Sequence, residues 1–339
     1  MQIEWMDGGE LGTGGIYTIN DVAPSTGAVA AGFSGTYYYA VPGNNGYSND
    51  INITARDEYY IGFRFKINAY GYICRLYSGT SQLLNIRLNS DGNIDIGLID
   101  GYGGWHTLSA CSSFYFYTAR IYRVEMHFIR NTWSGSTANL NGTWAMKVNG
   151  LLVQNDTACQ TTYYNMQYDQ LRIGYQAGYD DLVISIDDWP GNLRLQGIYP
   201  DSTGSSTQWY NDTTGAEANY TRVGEIPYRD TDYVWVNTLD QVDLYGMSAL
   251  SEGTNPINTI AGVQVWTRGS LAGLATPKDL QIALKSGSTT AYGTQHQMLD
   301  DQLYYWYTDV WTVNPDTTSA FSKAEINSIE IGLKSKARP

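Results

Sequence analysis

The sequence is poor in charged residues and contains no run typical of a long helix. Only 16% of its 339 residues are Asp, Glu, Lys or Arg, whereas it has 36 Gly, 29 Tyr and 10 Trp. Disordered chains are rich in charge and poor in aromatics, and helical chains are rich in Ala, Glu, Lys and Leu, so the composition argues against both. Aromatic side chains suit the pleated surface of a sheet, and glycine suits tight turns. The composition therefore predicts an all-β protein built from short strands.

Cysteine and histidine are also scarce. The three cysteines are Cys74, Cys111 and Cys159, and the three histidines are His106, His127 and His296. The cysteine count is odd and its spacing is unlike that of a metal site, whereas a secreted protein of this size more often carries an even set. No Ser/His/Asp or Cys/His order stands out, and the ligands of a zinc site are missing.

Long apolar runs and an excess of positive charge are absent as well. No stretch approaches the ~18 apolar residues that would cross a bilayer. The start, "MQIEWMDGGELGTGG", has no basic region followed by an apolar stretch, so we expect no signal peptide and synthesis in the cytoplasm. The net charge of −13 would repel phosphate backbones and anionic lipids. We therefore expect no binding to nucleic acid or to membranes.

Period-two alternation of apolar and polar residues runs along the chain. In "YYIGFRFKIN", residues 59–68, it predicts a half-buried strand. Two hairpins are predicted to turn at Asp91-Gly92 and Asn149-Gly150, since both pairs tolerate the positive φ of a type I′ turn. About a dozen strands precede Trp189, which predicts an antiparallel sandwich.

After "WPGN" the sequence still has the pattern of β-strands, now between turns rich in Gly, Ser, Thr and Asn, which predicts a second domain. We place the boundary near Gly197–Thr207. The first β-sandwich then comprises residues 56–197 with part of 1–55, and the second β-sandwich comprises residues 198–339. The remainder of 1–55 is predicted to pack on the first sandwich or dock beside it. One helical turn is predicted, at Ser322–Asn327, where Ser322 caps and Glu325 follows three residues later.

Two adjacent aspartates, Asp187 and Asp188, raise the question of a catalytic pair. Consecutive strand residues point to opposite faces, so the two carboxylates would not meet on one substrate. Glycoside hydrolysis needs two carboxyl groups ~5–9 Å apart on one side of a cleft. The strand "GNIDIGLID" offers Asp95 but no flanking glutamate. The sequence therefore predicts a protein that is not an enzyme.

Calcium is the one metal for which the sequence offers a hypothesis. The oxygen-rich stretch 89–95, "NSDGNID", lacks the later Glu of an EF-hand, and hairpin chemistry explains it. Loop carboxylates at the edge of a sandwich can hold calcium, and Asp180 and Asp181 in "GYDD" are the candidates. No other cofactor is expected.

Clusters of Tyr and Trp in predicted loops suggest a contact surface. Tyr102 and Trp105 lie among glycines in "DGYGGWH", and Tyr163 and Tyr164 lie in "TTYYNMQYDQ". Such residues stack on sugars and are enriched at protein interfaces, whereas packing in the core is the plainer alternative. We name these four residues as candidate binding residues.

The order of the strands resembles a known fold family. The strand "YYIGFRFKIN", the hairpin "LLNIRLNSDGNIDIG", "YRVEMHFI", the "MKVNGLLV" hairpin and the closing "IDDW" are similar to a laminin-G or concanavalin A-like jelly roll. The resemblance implies a lectin-like first domain in which the Asp-Asp pair marks the last strand.

The second half adds a more specific resemblance. The segments "DDWPGN", "LQGIYPDSTGSSTQW", "TTGAEANYTRVGEIPYRDTDYVWV", "DLYGM", "AGVQVWTRG", "LQIALKSG" and "VNPDTTSAFSKAEINSIEIGLK" follow an order that resembles virion structural proteins of tailed bacteriophages. The resemblance departs at Phe321, where such proteins often have Trp, and it does not cover the first ~55 residues.

That resemblance implies a non-enzymatic virion component, either a capsid decoration or head-fibre protein or a tail-associated one. It would self-associate as a homo-oligomer and dock on capsid or tail proteins. The alternative is a carbohydrate-binding adhesin or lectin module of a phage or bacterial surface, with a host-surface glycan as partner. A degenerate glycan hydrolase is the third interpretation.

We expect all three cysteines to be reduced in the native protein, because a reducing cytoplasm disfavours disulfides and the count is odd. Alkylation of the unfolded chain without reductant, followed by intact-mass measurement, should show three modified thiols. A native Cys–Cys link would contradict cytoplasmic assembly.

Overall fold

The computed structural model describes residues 2–7, 39–40, 50–67, 70–99, 105–111, 114–117, 120–162, 165–173, 177–191, 193, 195–211, 217–224, 231–250, 257, 259–271, 277–299 and 303–339. The chain forms two units, Met1–Leu195 and Gln196–Pro339. The division falls two residues before the predicted range Gly197–Thr207, most of which is itself a strand of the second unit. Both units are built almost entirely from β-strands.

Two antiparallel sheets form the first unit. Its described strands are β1 (Ile3–Asp7), β2 (Tyr39–Ala40), β3 (Asp50–Arg56), β4 (Glu58–Ile67), β5 (Gly71–Ser78), β6 (Ser81–Leu88), β7 (Ile94–Ile99), β8 (Trp105–Cys111), β9 (Ile121–Ile129), β10 (Trp133–Ser134), β11 (Thr137–Ala138), β12 (Gly142–Val148), β13 (Leu151–Cys159), β14 (Tyr168–Ile173) and β15 (Ala177–Ser185). The first sheet has the order β1-β15-β4-β9-β12-β13, with β2 also on β15, and the second has the order β3-β14-β5-β6-β7-β8. Strands β10 and β11 form a small separate ribbon. The unit is a sandwich of two antiparallel β-sheets.

The N-terminal residues 1–55 contribute strands to both sheets. Strand β1 pairs with β15 in the first sheet, and β3 pairs with β14 in the second. Residues 8–38 and 41–49 lie outside the described part of the chain.

The core of the first unit follows the period-two pattern of the sequence. On β4, Ile61 and Phe65 are fully buried, and their register partners on β9, Met126 and Tyr122, are buried with them. Paired residues lie on the same face of a sheet, so these side chains form one apolar wall. Each fully buried side chain of this kind contributes about 2 kcal/mol to folding. The predicted strand at residues 59–68 is confirmed.

The two predicted hairpins differ in their turns. Asn149 (φ 50°) and Gly150 (φ 84°) both adopt positive φ between β12 and β13, as a type I′ turn requires. Between β6 and β7 a longer loop is formed instead, in which Gly92 (φ 79°) accepts the left-handed conformation. There the side chain of Asn89 accepts hydrogen bonds from the amides of Asp91 and Asn93, both at 3.0 Å. The type I′ prediction at Asp91-Gly92 is therefore wrong, because Asn89 organises a wider turn.

The second unit is a smaller β-structure. Its described strands are β16 (Pro200–Thr207), β17 (Tyr210–Asn211), β18 (Val234–Trp235), β19 (Val242–Met247), β20 (Val263–Gly269), β21 (Asp279–Ser286), β22 (Thr289–Gln297), β23 (Tyr305–Trp311) and β24 (Glu330–Lys336). A five-stranded sheet has the order β16-β19-β24-β21-β22, and β17-β18 and β20-β23 form two ribbons. Ile282 and Leu284 on β21 are fully buried, and Val265 of the β20-β23 ribbon packs in the same core.

The predicted helical turn is confirmed. Helix α1 spans Lys323–Ile326. The hydroxyl of Ser322 accepts from the amide of Glu325 (3.2 Å), and the Glu325 carboxylate accepts from the amide of Ser322 (2.6 Å). This capping box satisfies two amide groups that the short helix leaves free.

A fully buried asparagine connects the end of β9 to the segment that leads into β14. The Asn131 side-chain oxygen accepts from the amides of Thr161 (3.0 Å) and Thr162 (2.7 Å) and from the Thr162 hydroxyl (3.0 Å). Buried amides need such partners, so this side chain substitutes for a backbone ladder between the two segments.

We expect Asn131→Ala to lower the free energy of unfolding of the first unit by about 2–4 kcal/mol, because it leaves buried amides without an acceptor. Urea titration would measure the loss. As a control, Asn155→Ala, at an exposed position on β13, should change the value by less than about 0.5 kcal/mol. Equal effects of the two substitutions would refute this role of Asn131.

Candidate functional site

The predicted aromatic residues fall mostly outside the part of the chain that the structure describes. Tyr102, Tyr163 and Tyr164 lie outside the described residues. Trp105 is described in its backbone alone, as the first residue of β8, where it pairs with Ile99. Its prediction as a loop residue is therefore wrong.

The calcium candidates lie in β15, and Asp180 is described only in its backbone. Asp181 is buried and has a left-handed φ of 51°, at an irregularity in the pairing of β15 with β4. Its carboxylate accepts from the amide of Leu195 (2.7 Å) and lies 3.2 Å from the Nε atom of Arg64. A cationic side chain thus already pairs with this carboxylate. Within the described ranges, no three His, Cys, Asp or Glu side chains are grouped as a metal site would require.

The aspartate pair lies just after β15. Asp187 and Asp188 are exposed residues of a bend that follows Ser185, so the prediction that they belong to the last strand is wrong. The carboxylate of Asp187 accepts from the amide of Gln2, and that of Asp188 accepts from the amide of Trp189 (2.7 Å). Both side chains therefore serve to hold backbone in place.

The segment after the bend covers the outer face of the first sheet. Pro190 lies over Gly62 of β4, where an added Cβ would come within 3.0 Å of the proline Cβ. The amide of Gly191 donates to the buried carboxylate of Glu125 on β9 (2.7 Å). Together with the bond from Leu195 to Asp181, these contacts hold Pro190, Gly191 and Leu195 against the sheet.

Trp189 completes this cover with an aromatic cluster. Tyr60 and His127 stack with ring centroids 4.0 Å apart, and the Trp189 ring lies edge-on at 5.6 Å from Tyr60 and 5.8 Å from His127. The ammonium of Lys147 lies 4.1 Å from the centre of the Trp189 ring. Burial, with Glu58 adding to the effect, raises the pKa of Tyr60 to about 12, so its hydroxyl stays a neutral donor to Glu58. The outer face of the first sheet is therefore occupied by the chain itself.

The outer face of the second sheet carries a different set of side chains. Register places Arg172, Arg75, Asn85 and Gly97 in one row across β14, β5, β6 and β7. A second row contains Gln170, Tyr77 and Gln82, and a third contains Tyr72, Arg87 and Asp95. We call the surface formed by Tyr72, Arg75, Tyr77, Gln82, Asn85, Arg87, Asp95, Gln170 and Arg172 the arginine–tyrosine face.

Tyrosine rings support two of the three arginines. The guanidinium carbon of Arg75 lies 3.8 Å from the Tyr72 ring centre, and that of Arg172 lies 3.9 Å from the Tyr77 ring centre. Arg172 also donates through Nε to the side-chain oxygen of Gln170 (3.2 Å). Such stacking fixes the plane of a guanidinium group.

The third arginine is paired with a carboxylate. Arg87 lies 3.4 Å from the carboxylate of Asp95, which also accepts from the Asn89 amide group at 3.1 Å. Asp95 was the one carboxylate in the strand we considered for catalysis. The residue is 94% buried and its carboxylate accepts hydrogen bonds from both Arg87 and Asn89, so its role here is to hold Arg87 in place.

A buried amide group on this face lacks a partner among the described residues. Asn85 has no exposed surface, and its oxygen accepts from Gln82, but its Nδ2 atom makes no hydrogen bond. A buried donor without an acceptor costs about 1–3 kcal/mol.

Sequence reasoning missed this surface. It sought aromatics in loops, whereas these tyrosines alternate with core residues inside β5. The polar positions of β5 and β6 do not keep a strict period of two, because the pairing of these strands is irregular after Tyr72 and after Leu76. Only the pairing of these strands shows that the polar positions meet.

Aromatic residues also lie together on a ribbon of the second unit. Trp266, Arg268 and Trp306 lie on the side of the β20-β23 ribbon opposite Val265. The rings of the two tryptophans lie 6.5 Å apart, and the guanidinium of Arg268 lies 5.9 Å from the ring centre of Trp306.

A scan against protein-family models and a search of curated proteins both found no match for this chain. Solved structures with some similarity include an endo-β-1,4-glucuronan lyase from the fungus Trichoderma reesei. It is 14% identical, and the match covers 55% of this chain and 96% of the lyase with a TM-score of 0.39. Galectin LEC-6 from Caenorhabditis elegans is 14% identical over 44% of this chain and 95% of the galectin, with a TM-score of 0.30. A heptameric SAP-like pentraxin from Limulus polyphemus is 17% identical over 43% and 73%, with a TM-score of 0.29.

At such identities and TM-scores these likenesses carry no information on ligand or activity. The resemblance to tailed-phage structural proteins stays a prediction. In the described part of the chain, no helix is long and apolar enough to cross a membrane.

We expect Trp189→Ala to loosen the first sheet, because it removes the ring that packs on Tyr60, His127 and Lys147. The loss should be about 2 kcal/mol, since the ring is half-buried. Hydrogen exchange measured by mass spectrometry should become faster in peptides from β4 and β9. The exposed Trp235 of the second unit provides the control, and Trp235→Ala should leave those peptides unchanged. Unchanged exchange in Trp189→Ala would show that the Trp189 ring does not stabilise the sheet.

Proposed function

We propose that the first unit is a carbohydrate-binding module and that the sugar lies on the arginine–tyrosine face. The observation that supports this best is the contrast between the two sheets. Trp189, Pro190 and Gly191 cover part of the outer face of the first sheet, whereas the second sheet carries guanidinium, amide and phenol groups on three neighbouring strands, β14, β5 and β6.

The chemistry of this face suits a sugar. Sugars offer many hydroxyl oxygens at short intervals, and guanidinium and amide groups donate several hydrogen bonds in fixed directions. The half-buried ring of Tyr72 adds apolar surface for sugar C–H groups. Because the strands are rigid, the donors are arranged before the ligand binds, which lowers the entropic cost of binding.

We propose that binding is not coupled to hydrolysis. Glycosidases use two carboxyl groups on one side of a cleft. Among the nine residues that define the arginine–tyrosine face, Asp95 carries the carboxylate. Its side chain is buried against Arg87 and Asn89. The sequence-based expectation of a non-enzymatic protein thus stands as part of the proposal.

A second proposal concerns where the module acts. The resemblance of the second half to tailed-phage virion proteins suggests an adhesin on a capsid or tail, where sugar binding and particle assembly are compatible. Strand β13 offers a surface for self-association, since it ends the order of the first sheet and exposes Leu151 and Leu152. Mass spectrometry of purified phage particles from a host that encodes this chain would test the assignment. If the protein were absent from those particles, the assignment would be ruled out.

We expect the protein to bind oligosaccharides on a glycan array and Tyr72→Ala to weaken the best ligand about tenfold, because the ring supports Arg75 and contacts the sugar. Titration calorimetry would measure the affinity. The matched control is Tyr292→Ala in the second unit, where a lysine ammonium lies 4.7 Å from the tyrosine ring centre. Binding that survives Tyr72→Ala but is lost in Trp306→Ala would move the sugar site to the β20-β23 ribbon.

A further inference from the structure

Two aromatic side chains of the second unit lie side by side and exposed on the ribbon formed by β17 and β18. Tyr210 and Trp235 are register partners, so both rings lie on the same face of the ribbon. Their centroids are 4.9 Å apart and their planes differ by 31°. Tyr210 is 55% exposed and Trp235 is 42% exposed, as is Tyr233, which directly precedes β18. Large apolar side chains that are grouped and exposed indicate a contact surface. We call Tyr210 and Trp235 the aromatic pair.

The indole N–H group of the aromatic pair already has an acceptor. The Nε1 atom of Trp235 donates to the backbone oxygen of Asn211 (3.1 Å). The side-chain amide of Asn211 in turn donates to the backbone oxygen of Glu217 (2.5 Å). Because an indole has one donor and no acceptor, a ligand of this pair would contact the Trp235 ring through apolar groups.

A buried carboxylate anchors the start of β17. Asp243 on β19 has no exposed surface, and its carboxylate accepts from the Tyr245 hydroxyl (2.6 Å), the Asn219 amide group (2.8 Å) and the amide of Trp209 (3.4 Å). Asn219 also donates to the backbone oxygen of Trp209 (2.9 Å), the residue before Tyr210. A carboxylate is costly to bury without such donors. Together these bonds fix the backbone that carries Tyr210.

The start of β18 is attached to the same part of the unit. Arg222 lies in the 3₁₀ turn Asn219–Arg222 and pairs with Asp232 (3.3 Å), two residues before Val234, and with Glu217 (2.7 Å). Both strands of the ribbon are thus held by contacts with this turn. An aromatic surface that is fixed before its ligand arrives binds with a lower entropic cost.

The geometry and charge of the aromatic pair decide between the ligands that pack on aromatic rings. A ring inserted between two others would need them ~7 Å apart, twice the ~3.5 Å contact distance of carbon atoms. The 4.9 Å separation therefore gives one surface rather than the groove in which proline-rich segments dock. The net charge of −13 repels the phosphates that accompany nucleobases, and it disfavours acidic sugars as well. A neutral pyranose needs one surface, on which its C–H groups pack against the electron-rich ring faces.

We propose that Tyr210 and Trp235 form a binding site of the second unit for a pyranose ring of a neutral glycan. This site lies on other residues than the arginine–tyrosine face and does not rest on the function proposed for that face.

The test follows the Trp235 ring directly in the full chain. Labelling with ¹⁵N-tryptophan gives indole signals for the 10 tryptophans, and Trp235→Phe identifies the signal of Trp235 by its loss. Hexasaccharides of glucose, mannose, galactose and N-acetylglucosamine would be titrated into the protein. At least one should shift the Trp235 signal. In calorimetry, Tyr210→Ala and Trp235→Ala should each weaken that sugar about tenfold, and Trp235→Phe should weaken it less because a ring remains.

Tyr292→Ala is the matched control. Tyr292 has a similar exposure of 41%, but it lies on β22, at the far end of the five-stranded sheet from β16. The substitution should leave sugar affinity unchanged. Because the aromatic pair is exposed, thermal unfolding of its alanine variants should also be unaltered, which would separate loss of binding from failure to fold.

The outcomes distinguish this site from the one proposed in the first unit. Sugar binding that is lost in Tyr72→Ala but unaffected by Tyr210→Ala and Trp235→Ala would overturn the aromatic-pair site alone. The reverse result would support it and overturn the site on the arginine–tyrosine face. A Trp235 signal that no sugar of the panel shifts would also refute it. If a decaproline peptide shifted that signal instead, or if Trp235→Ala abolished self-association of the chain, the aromatic pair would be a protein-binding surface.

Discussion

The register of β5 between β14 and β6 determines what the first unit presents to solvent. In this register Cys74 and Leu76 lie in the core, while Arg75 lies on the other face, beside Arg172 and Asn85 in register. Because side chains alternate with a period of two, a slip of one residue would turn the apolar set outward and bury the arginines. Burying those charges would cost free energy, so the charges favour the same register as the apolar core does. The packing of the core and the arrangement of the candidate site therefore depend on the same strand register.

The side chains on the outer faces of the two sheets of this unit are held in place in different ways. The first sheet is covered by its own chain, with Glu125 and Asp181 as buried acceptors for backbone amides and Gly62 leaving room for Pro190. The second keeps guanidinium and amide groups in place through tyrosine rings and side-chain hydrogen bonds. A surface organised this way needs little rearrangement to bind a ligand, and so it is suited to recognition.

The features that sequence reasoning predicted correctly depend on neighbours in the sequence. The turn at Asn149-Gly150 and the capping box of Ser322 and Glu325 each involve contacts within a few residues, as does the alternation of β4. The turn after β6 was mispredicted because the side chain of Asn89 competes with the dipeptide Asp91-Gly92. The candidate site depends on the pairing of β14 with β5, strands far apart in the chain, and periodicity within one strand does not reveal its partner. The pairing of Asp181 with Arg64 and Leu195 was hidden for the same reason.

The contacts of Gly191 and Leu195 with the first sheet bear on how a pulling force along the chain would reach the first unit. The second unit follows directly from Leu195, so a pulling force transmitted along the chain enters the first unit through this segment. The force meets the bonds of Leu195 to Asp181 and of Gly191 to Glu125 before it reaches β15, which has β1 on one side and β4 on the other. Two hydrogen bonds to buried carboxylates therefore lie between the second unit and β15 along the path of the chain.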